Sequence, residues 1–366
     1  MNKQNVCFLC GDITGTGGTE KIISIITNRL LEVQEFNIFI LSIERKNKGP
    51  FFEFNNKIKI DYIKRNNKIN HKINYLLNIP KIRKYIKKNK INIIVDVDLI
   101  CDLLTIPAKI GLKTKLISWE NFNIEEENKY FRRRLAIKIA AKFSDYIITL
   151  TEIDKNNYIK QLKRKKNIIC ISNPTEKKTY EKNNNKKKQI ISVGKLLPIK
   201  GYDLLLQVAK IVLPKHKDWK WIILGDGPEE KYIRTEIKNA NLQDQMLLLG
   251  SVKDVDNFYE ESSIFVLTSK NEGFGIVILE AKEHKLPIVC FDIETGAREL
   301  IRNNINGNLV KKYDVEEMAE KINRLIENPD IRTDYSEKSK FDLEKYDIDI
   351  IIEKWKHVLY HIINRR

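Results

Sequence analysis

Short apolar runs rich in β-branched residues alternate along the chain with longer segments in which apolar residues recur every three or four positions. In the first half the alternating segments are residues 5–10, 19–31, 91–95, 99–110, 146–150, 152–163 and 168–171. In the second half they are residues 189–193, 201–212, 219–224, 229–239, 246–249, 264–267, 276–284 and 288–291. Strands that alternate with amphipathic helices are typical of parallel α/β sheets. The pattern therefore predicts two such sheets, one in each half.

The alternation stops at Asn173-Pro174, and residues 175–188 are dominated by Lys, Asn and Glu. Such a stretch has little apolar surface to bury, which is typical of a linker. We expect an N-terminal domain over residues 1–172, a linker over 173–188 and a C-terminal domain over 189–345, both domains Rossmann-like and facing across a cleft. The tail, residues 315–366, has helical periodicity throughout. Trp355, Val358, Leu359 and Ile362 form an apolar face on this tail. Such a face must be buried against another part of the protein.

The charge of the chain is uneven. Its 66 basic and 49 acidic side chains give a net charge of +17, yet residues 1–172 hold 33 basic and 17 acidic side chains and carry +16 of it. A one-sided positive field favours an anionic partner such as a phospholipid surface, a diphosphate-linked lipid or a nucleic acid. A genome biased toward Lys codons is the alternative, but the balanced second half argues against it.

The five cysteines lie in apolar, strand-like surroundings without the spacing of a disulfide scaffold: Cys7, Cys10, Cys101, Cys170 and Cys290. We expect them to be reduced core residues. The apolar stretch that precedes Asp12 is too short for the hydrophobic region of a signal peptide, and no uncharged apolar run approaches the ~18 residues that span a bilayer. These features predict a cytoplasmic protein.

Three glycine-rich loops each follow a predicted strand and precede a predicted helix. They read Gly15-Thr16-Gly17-Gly18, Gly194-Lys195 with Lys200-Gly201, and Gly225-Asp226-Gly227-Pro228. Glycine lets the backbone approach a ligand, and a helix N-terminus presents N–H groups that suit an anion. Two lysines at such a turn can converge on one phosphate group. A plain tight turn would explain each loop taken singly.

The most informative segment is Glu272-Gly273-Phe274-Gly275, which leads into an apolar helix that carries Glu280. The helix N-terminus can hold a diphosphate, and carboxylates on either side of it can accept hydrogen bonds from sugar hydroxyls. This spacing fits a nucleotide-sugar better than a bare nucleotide.

Taken in order, these motifs resemble the GT4 family of retaining GT-B glycosyltransferases, the glycosyl transferases of group 1. The resemblance runs from about residue 6 to the segment Asn306-Gly307-Asn308-Leu309-Val310 and includes the Glu-x7-Glu element of the family as Glu272 and Glu280. It implies a GT-B fold in which the final helix, residues 346–366, crosses back to the N-terminal domain and covers its apolar face.

The resemblance also implies roles for single residues. Lys195 and Lys200 would contact the diphosphate of a UDP-sugar, with Lys195 in the place of a more usual Arg. Glu272 would contact the donor sugar and act with both lysines in catalysis, and Glu280 would bind the ribose. The remaining donor-binding residues would be Gly17, Gly18, Gly225, Asp226, Gly227, Gly273, Phe274, Gly275 and Ile276.

The acceptor side is less clearly marked. Relatives that act on bacterial surface glycans often have Glu-His where this chain has Glu120-Asn121 at the end of a strand. Asn can orient a sugar hydroxyl but does not accept a proton near pH 7. We expect Glu120 and Asn121 to bind the acceptor, and we expect a front-side displacement in which the leaving diphosphate accepts the acceptor's proton.

Residues 129–143 read as a basic amphipathic helix. Its cations include Arg132, Arg133, Arg134 and Lys138, interleaved with Phe131, Leu135 and Ile137. Each Lys or Arg near an anionic leaflet contributes roughly 1 kcal/mol, so this segment predicts peripheral association with the inner face of the cell membrane. A solvated helix face is the alternative.

The sequence thus predicts a retaining glycosyltransferase that moves a hexose or N-acetylhexosamine from a UDP-sugar to a lipid-linked glycan, such as one on undecaprenyl diphosphate, in the synthesis of a capsule, lipopolysaccharide or similar polysaccharide. No cofactor, metal or nucleic acid is expected. Three alternatives remain: a metal-dependent GT-A transferase using Asp96-Val97-Asp98, a sugar-nucleotide epimerase, and a nucleic-acid-binding protein.

Overall fold

The computed structural model describes residues 3–63, 76–163, 167–175 and 187–364. The chain forms two compact units. The first comprises Met1–Pro174 together with Asp349–Arg366, and the second comprises Thr175–Ile348. Most of the predicted linker, residues 176–186, lies outside the described residues.

The first unit contains a seven-stranded sheet in the order β3-β2-β1-β4-β5-β6-β7. Every strand pair is parallel, and Val6 lies opposite both Ile38 and Ile93. Its strands are β1 (Gln4–Cys10), β2 (Phe36–Ser42), β3 (Lys59–Tyr62), β4 (Ile93–Val97), β5 (Lys115–Trp119), β6 (Tyr146–Thr149) and β7 (Ile168–Cys170). The central strands are almost wholly buried, as expected of a parallel sheet that is covered on both faces.

Helices connect these strands. They are α1 (Gly18–Glu32), α2 (Asn78–Lys88), α3 (Asp102–Lys109), α4 (Ile124–Glu127), α5 (Phe131–Phe143), α6 (Glu152–Leu162) and the C-terminal α14 (Ile348–Asn364). Within the predicted helix over residues 99–110, Leu99–Cys101 forms a 3₁₀ turn and α3 follows it directly. The Asp98 side chain accepts a hydrogen bond from the Ile100 amide and caps the start of the turn.

Helix α14 packs on the first unit through its predicted apolar face. The Trp355 ring lies 5.0 Å from the Trp119 ring, almost perpendicular to it, and 6.0 Å from the Phe8 ring. Val358, Leu359 and Ile362 are buried beside it. The chain therefore returns to the first unit in its last 18 residues.

The second unit contains a six-stranded parallel sheet in the order β10-β9-β8-β11-β12-β13. Its strands are β8 (Gln189–Val193), β9 (Lys220–Leu224), β10 (Met246–Leu248), β11 (Ile264–Leu267), β12 (Ile288–Phe291) and β13 (Gly307–Val310). Its helices are α7 (Tyr202–Val212), α8 (Glu230–Asn239), α9 (Asp256–Glu261), α10 (Ile276–Glu283), α11 (Ala297–Leu300), α12 (Val315–Glu327) and α13 (Pro329–Glu337). Both units are Rossmann-like, and in each the strand order reverses beside the first strand, where α/β proteins bind ligands.

The structure corrects the predicted continuous helix over residues 315–366. The chain leaves the helical conformation between α13 and α14, where Asp342 has a φ of +60°. Cys7, Cys10, Cys101 and Cys290 are buried free thiols, whereas Cys170 is only half-buried. Within the described ranges, no helix combines the length and apolar character needed to cross a membrane.

Candidate active site

Glycine loops at the carboxyl edge of the second sheet pack backbone against backbone. Gly225 has a φ of +144°, and a Cβ there would lie 1.9 Å from the carbonyl oxygen of Gly194. A Cβ on Gly227 would lie 2.5 Å from the carbonyl oxygen of Leu196. No side chain larger than hydrogen fits at either position. The structure thus brings together the two predicted donor loops that follow β8 and β9.

A third contact of this kind closes the loop that carries Lys200. Gly201 has a φ of +68°, and a Cβ there would lie 2.1 Å from the carbonyl oxygen of Thr268, at the end of β11. The Thr268 hydroxyl also donates to the carbonyl of Lys200, at 3.3 Å. Lys200 is therefore held directly beside the loop that precedes Glu272.

Lys200 and Glu272 form the central charged pair of the second unit. The Lys200 Nζ lies 2.6 Å from Glu272 Oε1, which also accepts a hydrogen bond from the Ser269 hydroxyl at 2.7 Å. The Thr295 hydroxyl donates to the backbone carbonyl of Glu272. The Glu272 side chain is 9% exposed and that of Lys200 is 24% exposed. A nearly buried carboxylate requires such partners, and together they fix its position.

The loop after Glu272 leads to the N-terminus of α10. Gly275 caps this helix with a φ of +84°, and Ile276 is its first residue. The Phe274 side chain is turned inward and packs edge-on against Tyr346, 5.6 Å away. Of the predicted donor residues, Phe274 can therefore contribute its backbone to a ligand, while its ring anchors the loop.

Glu280 lies on the second turn of α10. Its carboxylate is half-buried and accepts a hydrogen bond from the Tyr259 hydroxyl at 2.9 Å. The two carboxylates of the Glu-x7-Glu element are thus both held by hydroxyl groups of the same unit.

Lys195 and Asp226 follow β8 and β9. Both residues are half-buried, and the Leu196 amide donates to the carbonyl of Asp226 at 2.8 Å. Among the residues that the structure describes, Lys195 forms no ion pair with a carboxylate within 4.0 Å. In this respect it differs from Lys200, which is paired with Glu272.

Sequence reasoning missed one further glycine turn at this edge. A Cβ on Gly296, which has a φ of +79°, would lie 2.4 Å from the carbonyl oxygen of Phe274. The turn joins β12 to α11 and carries Thr295. The signal was present, since the segment repeats the strand, glycine and helix order of the other loops.

The predicted glycines of the first unit surround the start of α1. Gly17 is the N-cap residue and Gly18 is the first helical residue. The Glu20 carboxylate folds back over this turn, with its Oε1 3.1 Å from the position of a Cβ on Gly15. A negative charge near a helix N-terminus is favourable, so Glu20 stabilises the loop.

Glu120 is turned into the first unit. One carboxylate oxygen accepts hydrogen bonds from the backbone amides of Asn121 and Phe122, both at 3.0 Å, and the other accepts one from Tyr158 at 2.8 Å. Burial raises the pKa of Glu120 well above its usual range. The Asn121 side chain donates to the carbonyl of Trp119. In this structure both side chains shape the loop after β5.

The four predicted membrane-facing cations do not share one environment. Arg132, Arg134 and Lys138 are exposed on α5. Arg133 instead points into the unit, where its guanidinium pairs with Asp98 and, at 2.7 Å, with Glu127. Arg133 is therefore an internal counter-ion, and the prediction that it faces a membrane is wrong in this structure.

The Asp96-Val97-Asp98 triplet does not form a metal site. Asp96 is fully buried and accepts a hydrogen bond from the Thr105 hydroxyl at 2.9 Å, and Asp98 pairs with Arg133. Burial raises the pKa of Asp96 to about 7. Across the described parts of the chain, no three acidic, His or Cys side chains converge on a position that could hold a metal ion.

Comparison with known proteins places this geometry in a family. The sequence model of the family "Glycosyl transferases group 1" matches residues 173–341. An uncharacterised glycosyltransferase of Haemophilus influenzae is 33% identical, over 97% of this chain and 100% of that protein. A Campylobacter jejuni enzyme is 24% identical, over 95% of this chain and 96% of that protein; its name is GalNAc-α-(1→4)-GalNAc-α-(1→3)-diNAcBac-PP-undecaprenol α-1,4-N-acetyl-D-galactosaminyltransferase.

A solved structure shows the same fold. HepE of Anabaena, crystallised with UDP and glucose, superposes with a TM-score of 0.80 at 17% identity, over 98% of this chain and 100% of that chain. The two parallel Rossmann-like units are thus those of the GT-B fold. The Haemophilus influenzae relative matches almost the whole chain, and the family model matches its second unit. The chain therefore belongs to the glycosyl transferases of group 1 and is a glycosyltransferase.

Proposed function

We propose that the protein transfers a hexose or N-acetylhexosamine, with retention of configuration, from a UDP-sugar to a lipid-linked glycan in bacterial surface polysaccharide synthesis. The Lys200–Glu272 pair carries the proposal, because it places a cation and a carboxylate together at the carboxyl edge of a Rossmann-like sheet. HepE binds UDP and glucose on the same fold. The Campylobacter relative is named for a glycan on undecaprenol diphosphate.

The donor would lie against the loops of the second unit. Lys195 and Lys200 would neutralise the diphosphate, assisted by the backbone N–H groups at the start of α10. Glu272 would accept hydrogen bonds from the sugar hydroxyls, and Glu280 from the ribose. Because the two lysines bring positive charge to the diphosphate, we propose that no metal ion is needed.

The reaction would be a front-side displacement. The bond from the anomeric carbon to the diphosphate oxygen breaks, while a bond from the acceptor hydroxyl oxygen to the same carbon forms on the same face. The proton of that hydroxyl passes to the departing diphosphate oxygen. Lys200 and Lys195 stabilise the charge that develops on this leaving group, so the mechanism needs no histidine.

We also propose that α5 associates with an anionic membrane surface. Its exposed cations Arg132, Arg134 and Lys138 stand beside exposed aromatic and aliphatic side chains, namely Tyr130, Phe131, Leu135 and Phe143. Basic residues attract anionic lipid headgroups, and aromatic residues insert at the interface. This surface would hold the enzyme at the inner leaflet, beside a lipid-linked acceptor.

Calorimetric titration of the protein with UDP and a panel of UDP-sugars, with and without EDTA, tests the donor part of the proposal. We expect binding that EDTA leaves unchanged, and the sugar that binds most tightly becomes the donor for a transfer assay. Binding that requires Mn²⁺ would contradict the proposed charge neutralisation by lysines. Absence of UDP binding would refute the proposed donor.

A further inference from the structure

Glu280 is not held by its own helix alone. Its Oε2 accepts a hydrogen bond from the hydroxyl of Tyr259, which lies on α9, 21 residues earlier in the chain. Glu272 receives the corresponding hydroxyl contact from Ser269, only three residues away. The second carboxylate of the Glu-x7-Glu element therefore depends on a neighbouring helix for its orientation.

Tyr259 is itself rigidly placed. Its side chain is fully buried, and its ring stacks on the ring of His284 with 5.1 Å between centroids and 18° between planes. The Phe265 ring lies 6.1 Å away on β11. His284 Nε2 lies 3.0 Å from Asp256 Oδ1 at the start of α9. These contacts fix the plane of the ring and the position of the phenol oxygen, which lies within hydrogen-bond distance of Glu280.

This arrangement selects one conformation of a flexible side chain. A glutamate has three side-chain torsions, and a rotamer-rich side chain loses conformational entropy when it is fixed on binding. A hydrogen bond that already holds the carboxylate in the free protein removes part of that cost. Burial raises the pKa of the Tyr259 phenol well above its usual range, so it stays a neutral donor throughout the working pH range.

We propose that Tyr259 is a positioning residue, which holds the Glu280 carboxylate in the orientation that recognises the ribose hydroxyls of the donor nucleotide. Tyr259 acts through Glu280 and is not itself placed against the ligand. The inference rests on the proposed function, since it assumes that Glu280 binds the ribose.

The test measures how strongly the protein distinguishes UDP from 2′,3′-dideoxy-UDP by calorimetry. A hydrogen bond to a charged group is worth roughly tenfold to a hundredfold in binding, so the wild type is expected to prefer UDP by about that factor. In Glu280→Gln this preference should fall to a few-fold. In Tyr259→Phe it should fall by about threefold to tenfold, through weaker UDP binding and unchanged dideoxy-UDP binding.

Tyr335→Phe is the matched control. Tyr335 is also buried in the second unit, and its hydroxyl accepts a hydrogen bond from Asn308 Nδ2 at 3.4 Å, away from Glu280. This variant should keep the wild-type preference for UDP. In transfer assays, Tyr259→Phe should raise the KM for the UDP-sugar more than it lowers kcat, because it changes donor binding and leaves Lys200 and Glu272 in place.

The outcomes distinguish a failure of the positioning role of Tyr259 from a failure of the ribose-binding role of Glu280. Loss of preference in Glu280→Gln but full preference in Tyr259→Phe would overturn the positioning role and leave the proposed function intact. Equal binding of UDP and dideoxy-UDP by the wild type would overturn the ribose role of Glu280 and this inference with it. If Tyr259→Phe and Tyr335→Phe weaken UDP and dideoxy-UDP alike, the hydroxyl is structural only.

Discussion

Replacing Lys200 with Ala tests the charged pair on which the proposed donor site is built. At 2.6 Å and an effective dielectric constant of about 20, the attraction between the Lys200 ammonium and the Glu272 carboxylate is about 6 kcal/mol. Desolvation offsets most of it, and Lys200 is partly exposed, so the stability lost is expected to be about 1–3 kcal/mol. For a unit of this size each kcal/mol lowers Tm by about 2–4 °C.

The effect on transfer should be larger than the effect on stability. Removing one group that stabilises developing charge in a transition state typically costs about 100-fold to 1000-fold in kcat. Lys200→Ala should therefore lower transfer by at least about 100-fold while the protein remains folded at assay temperature. Glu272→Ala should lower it similarly, because the same site loses its sugar-binding carboxylate.

Lys270→Ala is the matched control. Lys270 lies in the same loop region and pairs with Asp203 at 3.0 Å, with a side chain about as exposed as that of Lys200. Because Asp203 is far more exposed than Glu272, the loss of this pair should lower Tm less than Lys200→Ala does. It should change transfer less than about threefold, since neither Lys270 nor Asp203 is a proposed donor-binding residue. Lys200→Ala, Glu272→Ala and Lys270→Ala are compared in transfer assays and in thermal unfolding. Equal losses of transfer in Lys200→Ala and Lys270→Ala would refute the assignment of Lys200 to the diphosphate.

Three further predictions follow from other parts of the structure. Gly225→Ala should lower the free energy of unfolding, measured in urea, by more than about 3 kcal/mol, because the new Cβ meets the Gly194 carbonyl oxygen. Gly250 has a φ of +77° and open space around it, so Gly250→Ala should lower it by only about 1–2 kcal/mol. Equal losses in the two variants would contradict the steric argument. Burial raises the pKa of Asp96 to about 7 and also raises the pKa of its buried neighbour Asp102, so the folded state holds protons on this pair that the unfolded state releases above about pH 4. Wild-type stability should thus fall as the pH rises from about 4, and this fall should be smaller in Asp96→Asn, which lacks one of the two carboxyls. A difference in stability between the two proteins that does not change with pH would contradict this prediction. Replacing Arg132, Arg134 and Lys138 by Glu should weaken binding to anionic liposomes, measured by sedimentation, by at least about 100-fold. The control replaces the exposed Lys217, Lys220 and Lys231 of the second unit by Glu and should leave this binding unchanged. Equal effects of the two replacements would show that only the net charge matters.

The fold could be predicted because its signal is local. Buried parallel strands are short apolar runs, and the helices between them have one apolar face, so both leave a pattern in the sequence. The prediction omitted β2, β3 and β13. Strand β3 lies at the sheet edge and is only four residues long, with no fully buried side chain, so it leaves little apolar pattern. The break between α13 and α14 was missed because helical periodicity continues across it.

The candidate donor site was also predictable in part, because its glycines are required by backbone contacts that recur after each strand. A Cβ on Gly201, Gly225 or Gly227 would lie within 2.5 Å of a backbone carbonyl oxygen. Those contacts permit only glycine, and glycine next to Lys or Glu at a strand end is visible in the sequence. The partner of each charged side chain is not visible in this way.

Arg133 shows why those partners escaped prediction. As part of a run of cations it is easily assigned to the same surface as Arg132 and Arg134, although it lies three and four residues before the buried Ala136 and Ile137, on the inward side of α5. That spacing indicates burial, but it does not say which side chains neutralise the charge. Its two carboxylate partners are Asp98, 35 residues earlier at the end of β4, and Glu127 on α4. Only the sheet order, which places β4 next to β5, brings Asp98 to the start of α5. A charge run in sequence therefore overstates the charge on the surface. The field on the exposed side of α5 is that of the other cations, because Asp98 and Glu127 neutralise Arg133.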